Sequence, residues 1–207
     1  MDEYLRQRKI MVDHQIRARG VCDETVLKAM LTVPREQFVT GYDSSSCFHD
    51  GPLLIGCGQT ISQPYIVAYM TELLALHGDE KVLELGTGSG YQTAVLAEIV
   101  REVYTIEIIE TLGQHAQKLL TETLGYTNIH FKIGNGREGW SEFAPFDRIL
   151  LTAAASRFPE NLFDQLAEGG IVVAPVGEYY QQLVRYRKNK GEIEIENLIA
   201  VAFVPFV

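Results

Sequence analysis

The residues with the most chemical content run from Glu84 to Tyr91, Glu84-Leu85-Gly86-Thr87-Gly88-Ser89-Gly90-Tyr91. Glycines at alternate positions let the chain turn tightly at a strand end and let a ligand approach bare backbone. The dinucleotide fingerprint G-x-G-x-x-G needs its last glycine at 91, where this chain has Tyr91. Glu84 also speaks against a pyrophosphate, which its carboxylate would repel. A ligand with positive charge suits it, and S-adenosyl-L-methionine (AdoMet) carries an ammonium and a sulfonium. A bare G-x-G-x-G is otherwise a plain turn between strand and helix.

Three further positions could join that ligand. Glu107 lies 21 residues past Gly86, at a strand's carboxyl end. An acid there can accept hydrogen bonds from both ribose hydroxyls, or it can simply open the following helix, where negative charge suits the macrodipole. Asn135-Gly136 is by default a turn pair, yet it falls where an amide could meet an adenine edge. Ser62, two places before Pro64, reads on its own as the amino-terminal cap of a helix from Tyr65 to Leu76. Thr152-Ala153-Ala154-Ala155 holds no Asp/Asn-Pro-Pro-aromatic motif, and no cysteine follows a proline. Methyl transfer to base nitrogens or carbons is thereby weakened, leaving oxygen acceptors or small molecules. Cys22, Cys47 and Cys57 lack C-x-x-C spacing and the five histidines lack ligand spacing, so no metal site is expected.

The elements that would hold these residues alternate. Strands are predicted at 81–85, 103–106, 129–133, 147–151 and 171–176, and helices at 91–100 and 112–124, the latter closed by Gly125, with a short one at 161–166. Such alternation argues a parallel sheet covered on both faces. Gln182 to Arg187 and Glu192 to Val204 are joined by Lys188 to Gly191, too short for a crossover, and must pair antiparallel. The basic residues Arg185, Arg187, Lys188 and Lys190 then flank a hairpin turn. Residues 1 to 63 stand outside the alternation: helices over 2–18 and 23–30, a helical turn at 34–38, and an irregular stretch from Tyr42 to Thr60. The predicted fold is α/β and Rossmann-like, as in AdoMet-dependent methyltransferases. Its mostly parallel seven-stranded sheet ends in an antiparallel hairpin under an amino-terminal helical cap. The division is 1–63, helical cap and substrate loop, and 64–207, AdoMet-binding core, read as one structural unit.

Composition bounds the function. With 207 residues the chain can bury a core without staples. A net charge of −9 disfavours nucleic acid as partner. No apolar run approaches a membrane span and no secretory signal is visible, so a soluble, cytoplasmic protein is expected.

The motifs Val33-Pro34-Arg35-Glu36-Gln37-Phe38-Val39, Gly58-Gln59-Thr60-Ile61-Ser62-Gln63-Pro64, Val82 to Thr93, Ala144-Pro145-Phe146-Asp147 and Phe203-Val204-Pro205-Phe206 resemble those of the protein-L-isoaspartate O-methyltransferases along essentially the whole chain. The resemblance implies AdoMet as cofactor, S-adenosyl-L-homocysteine as product, and L-isoaspartyl (less efficiently D-aspartyl) residues of aged proteins as substrate. It implies a bacterial-type cytosolic repair enzyme with no obligate protein partner. It assigns Ser62 as the active-site hydroxyl and Gln59, Thr60, Ile61, Ser62 and Val204 to the peptide. To AdoMet it assigns Glu84, Gly86, Thr87, Gly88, Ser89, Gly90, Glu107, Ile108, Asn135 and Gly136. Asn135 departs from the family's usual Asp, as Leu54 and Cys57 depart from its usual Pro and Gln. An AdoMet enzyme for another oxygen acceptor, a non-catalytic binding protein and a nicotinamide dehydrogenase are the competing readings.

Overall fold

The computed structural model describes residues 3–43 and 45–206. Helix α1 (Glu3–Ile10) continues through a π-helical segment, Met11–Ile16, and a 3₁₀ turn, Arg17–Arg19. Helix α2 (Glu24–Thr32) starts where expected, because the Asp23 carboxylate accepts from the amides of Thr25 and Val26. Its far end is served by Arg8, whose guanidinium donates to the carbonyls of Leu31 and Thr32 and to Glu36.

The stretch from Tyr42 to Thr60 is less irregular than expected. It contains a short antiparallel hairpin, β1 (Leu53–Gly56) and β2 (Gln59–Ile61), turning at Gly56-Cys57-Gly58. The strands are too short to show alternation, which is why the pattern hid them. Tyr42 braces them, its hydroxyl accepting from the Leu54 amide at 3.0 Å. Helix α3 (Pro64–Leu73) follows directly.

The rest is the alternation read from the sequence: β3 (Lys81–Leu85), α4 (Tyr91–Ala97), β4 (Glu102–Glu107), α5 (Glu110–Lys118), β5 (Ile129–Ile133), β6 (Phe146–Leu151) and β7 (Leu166–Val176). Helix α5 runs on through a π turn, Leu119–Thr123, so the predicted helix reaches its end near Gly125. The predicted helix at 161–166 is a 3₁₀ segment, Glu160–Gln165. The chain closes with β8 (Gln181–Asn189) and β9 (Glu192–Val201), joined by the two-residue turn Lys190-Gly191. Helix α4 is shorter than expected and β7 longer, while β9 stops three residues before Val204.

The seven strands lie in the order β5-β4-β3-β6-β7-β8-β9. The first five are mutually parallel, and β8 and β9 are antiparallel additions. From β3 the chain winds outward one way through β4 and β5, then returns to wind the other way from β6. This reversal leaves a crevice beyond the carboxyl ends of β3 and β6, where open α/β sheets bind ligands.

Strand alternation divides the core between the two faces of the sheet. Val82, Val103, Leu150 and Val173 face a cluster that also holds Met11, Ile16, Leu27 and Met30 from the amino-terminal helices. Leu83, Leu85, Ile106, Ile149 and Val172 face the other side, with Tyr104, Phe158 and Leu162. The amino-terminal helices therefore share one core with the sheet.

Candidate active site

The turn after β3 is held from three sides. Gly86, at φ +101°, donates to the Ile106 carbonyl at 2.9 Å. A Cβ at this position would strike Thr152 Oγ1, which itself donates to the Gly86 carbonyl at 2.5 Å. Only glycine satisfies both the angle and that approach. Further along, Gly88 donates to Glu107 Oε2 at 2.8 Å, and the other carboxylate oxygen accepts from Ile109 at 2.9 Å. Glu107 is thus fixed at the end of β4 by one backbone amide on each oxygen. A carboxylate oxygen has two acceptor sites, so both retain capacity for a ligand hydroxyl.

Beneath this turn Glu84 is completely buried. Its Oε2 accepts from Thr93 at 2.5 Å and Thr105 at 2.7 Å, while Oε1 has no partner. With its own hydrogen given to Glu84, Thr105 must accept from Thr87 across their 2.6 Å contact. Burial pushes the Glu84 carboxyl up to about 8, against the two threonine hydroxyls, which favour the ionised form. The expectation of Glu84 facing a cationic ligand is therefore corrected: the residue is absent from the cleft lining and reaches the turn only through Thr105 and Thr87.

A cleft opens at this turn. One end is lined by Gly86, Thr87, Gly88, Ser89, Glu107, Ile108 and Gly136, and the other by Gln59, Thr60, Ile61, Ser62 and Val204. Hairpin β1–β2 lies across it: Ile55 reaches the turn at Gly88, and Cys57 Sγ stands 3.8 Å from Thr111 Oγ1 at the start of α5. From Ser62 the cleft opens into a second groove along the end of β9, sharing Thr60, Ser62, Thr152, Phe203 and Val204 with it.

Ser62 does not cap α3. Gln63 holds the cap position without a side-chain bond to the helix, its amide donating instead to Asp50 Oδ1 at 2.8 Å. The closing segment is seated by the strip after β6, where Ala154 donates to the Val204 carbonyl and accepts from Phe206, both at 2.8 Å. Phe206 packs on Gly136, and Arg137 donates to its carbonyl at 2.7 Å.

Twelve of the residues singled out from the sequence meet in this cleft, and three do not. Glu84 lies below it. Gly90 packs its backbone against Leu120 and Ala116, serving the seating of α4 on α5. Asn135 is exposed and behaves as a turn residue, its Oδ1 capping the 3₁₀ turn Gly136–Glu138 by accepting from Arg137 at 2.9 Å. Missed in the sequence were Thr152, Ala153, Ile109, Phe203 and Phe206. Position at the carboxyl end of the β6 strand was the available signal for Thr152 and Ala153; Phe203 and Phe206 stand in the closing motif beside Val204, which alone of the three was given a role.

A glycine turn, a strand-end acid and a cleft at the reversal of a mostly parallel sheet with an antiparallel end define a Rossmann-like methyltransferase. The family model described as protein-L-isoaspartate(D-aspartate) O-methyltransferase (PCMT) matches residues 6–207. A Picosynechococcus protein-L-isoaspartate O-methyltransferase is 55% identical over 97% of this chain and 89% of its own. A solved protein-L-isoaspartate O-methyltransferase superposes with a TM-score of 0.87 at 30% identity over 96% of this chain, which spans 65% of that longer one. A Plasmodium falciparum enzyme of this name, in complex with S-adenosyl-L-homocysteine, superposes at 0.85 with 27% identity, over 97% and 98% of the two chains. The chain belongs to the protein-L-isoaspartate(D-aspartate) O-methyltransferase family.

Proposed function

We propose that the protein methylates the free carboxylate of L-isoaspartyl residues, and less well of D-aspartyl residues, in damaged proteins and peptides. The observation that carries this reading is the continuity of one cleft from the glycine turn and Glu107 to Gln59–Ser62 and Val204. AdoMet, when bound, supplies an activated methyl group and leaves as S-adenosyl-L-homocysteine.

The residues present suit that cofactor. Backbone without side chains lines the cleft at Gly86 and Gly88, and Glu107 keeps acceptor sites for two ribose hydroxyls. No general base is needed, because the acceptor carboxylate is ionised at neutral pH with a reference pKa near 4. The chain's task is to hold an acceptor oxygen about 3–3.5 Å from the methyl carbon and in line with it. Ser62 donates its hydroxyl hydrogen to the acceptor carboxylate, and the backbone of Gln59–Ile61 and Val204 holds the peptide on either side. The ester then cyclises to a succinimide with loss of methanol, away from the enzyme, and hydrolysis returns part of it as normal aspartate.

The hairpin's position over the cleft supports a role for residues 1–63 on the substrate side and 64–207 on the cofactor side. Among the described residues no helix is long and apolar enough to cross a membrane, and we place the enzyme's work in the cytoplasm, on isoaspartyl-containing proteins. The test is methylation of one peptide synthesised in isoaspartyl and aspartyl forms. Strong transfer to the first alone is expected, and equal transfer to both would end the proposal.

A further inference from the structure

Arg35 heads the largest side chains that are fully buried, at 0% exposure. No ion pair among the described residues includes it. Its Nε donates to the Cys47 carbonyl at 3.0 Å and its Nη2 to the Ser62 carbonyl at 2.9 Å, while Nη1 has no partner. The guanidinium carbon stands 4.8 Å from the centroid of the Tyr91 ring, itself packed edge-on against Phe38. Tyr91 opens α4 directly after the glycine turn and, like Ser62, lines the cleft.

A buried cation without a counter-ion is costly, and an apolar side chain of similar volume would fill the same space without that penalty. Packing alone therefore does not account for a guanidinium here. What it offers is a planar fork that reaches two carbonyls while stacking on a ring, which neither Met nor Lys can reproduce. The Ser62 carbonyl needs such a donor. The first bond of α3 is made by the next carbonyl, from Val67 to Gln63 at 3.1 Å, so no helix amide reaches Ser62.

We propose that Arg35 is a positioning residue for methyl transfer: by tying the Ser62 carbonyl to the Cys47 turn and to the Tyr91 ring, it sets the Ser62 hydroxyl relative to the cofactor end of the cleft. This rests on the reading of Ser62 given above. Arg35 touches neither substrate nor cofactor and acts through the backbone that carries Ser62. A single buried group thereby joins the peptide side of the cleft to the helix that follows the AdoMet turn.

The experiment is a double-mutant cycle on the whole chain with Ser62→Ala and Arg35→Lys. It is read as single-turnover methylation of an isoaspartyl peptide at saturating AdoMet, corrected for folded fraction by near-ultraviolet circular dichroism. Each single variant is expected to slow transfer about tenfold or more, with AdoMet Kd within about threefold of wild type. The double variant should then be no more than about twofold slower than the slower single, because both changes remove one interaction. Slow transfer in Ser62→Ala beside wild-type transfer in Arg35→Lys, or losses that multiply in the double variant, would overturn this proposal and leave Ser62 standing. Wild-type transfer in Ser62→Ala would remove both. If Arg35→Lys does not fold, Arg35→Gln, neutral and able to donate to one carbonyl, takes its place. Failure of both to fold would make Arg35 a framework residue and overturn the positioning role.

Discussion

Glu107 and Ser62 carry the sharpest residue-level consequences. The Glu107 carboxylate is fixed by Gly88 and Ile109 with acceptor capacity to spare. Removing it in Glu107→Ala should cost a charge-assisted bond or two, each about 1.5–3 kcal/mol, and raise the AdoMet Kd by tenfold or more in calorimetry. Unchanged affinity would leave Glu107 as a brace for the turn. Ser62→Ala should lower kcat about tenfold to a hundredfold with melting temperature nearly constant, since no bond from its side chain holds α3. A melting temperature several degrees lower with wild-type turnover would reverse that assignment. Asn135 spends Oδ1 on the Arg137 amide. An Asp would keep this cap with one oxygen, and the side chain stands outside the cleft lining, so Asn135→Asp should hold the AdoMet Kd near its wild-type value. A severalfold loss would mean that the native amide donates to the adenine.

At the scale of elements, the seat of α4 on α5 can be tested through Gly90. Its φ is +86°, and an added Cβ would stand 2.9 Å from Leu120 Cδ1 and 3.2 Å from Ala116 Cβ. Left-handed strain and overpacking should together cost about 2–4 kcal/mol in Gly90→Ala, seen as a lower urea midpoint with unchanged slope. This is also where the sequence's legibility divides. Parallel strands buried on both faces announce themselves as short apolar runs, and the terminal hairpin was readable because four residues cannot span a crossover. Hairpin β1–β2 was not, its strands having only four and three residues about a turn whose Cys57 sits at φ +53°. Among site residues, Glu107 stood out because strand ends and spacing are local facts. The burial of Glu84 and the reach of Phe203 to the cleft depend on which strands become neighbours. Arg35 illustrates the same limit: its type was visible in the Val-Pro-Arg motif, its partners at 47 and 62 were not.

For the whole molecule, the buried Glu84 couples stability to pH. Its carboxyl titrates near 8 when folded and near 4.5 as an ordinary glutamate. Below about 4.5 both states hold the proton. Between 4.5 and 8 the unfolded chain releases it first, so this group lowers stability as pH rises, and above 8 its effect is constant. Glu84→Gln keeps the threonine acceptor and removes the titration. The difference in melting temperature, variant minus wild type, should therefore grow from pH 5 to pH 8; a flat difference would show that the carboxyl is ionised throughout.

Strand β9 ends the sheet, and among the described residues no strand pairs with its outer edge. An open edge of ten residues is a template on which any passing extended chain could polymerise. Glu192, Glu194 and Glu196 fall on one face of it, at every second residue. Arg185 holds Glu196 at 2.8 Å, so two copies approaching edge to edge would bring chiefly Glu192 and Glu194 together, and like charges set opposite each other repel. The strand that completes the fold thus carries its own guard against self-assembly.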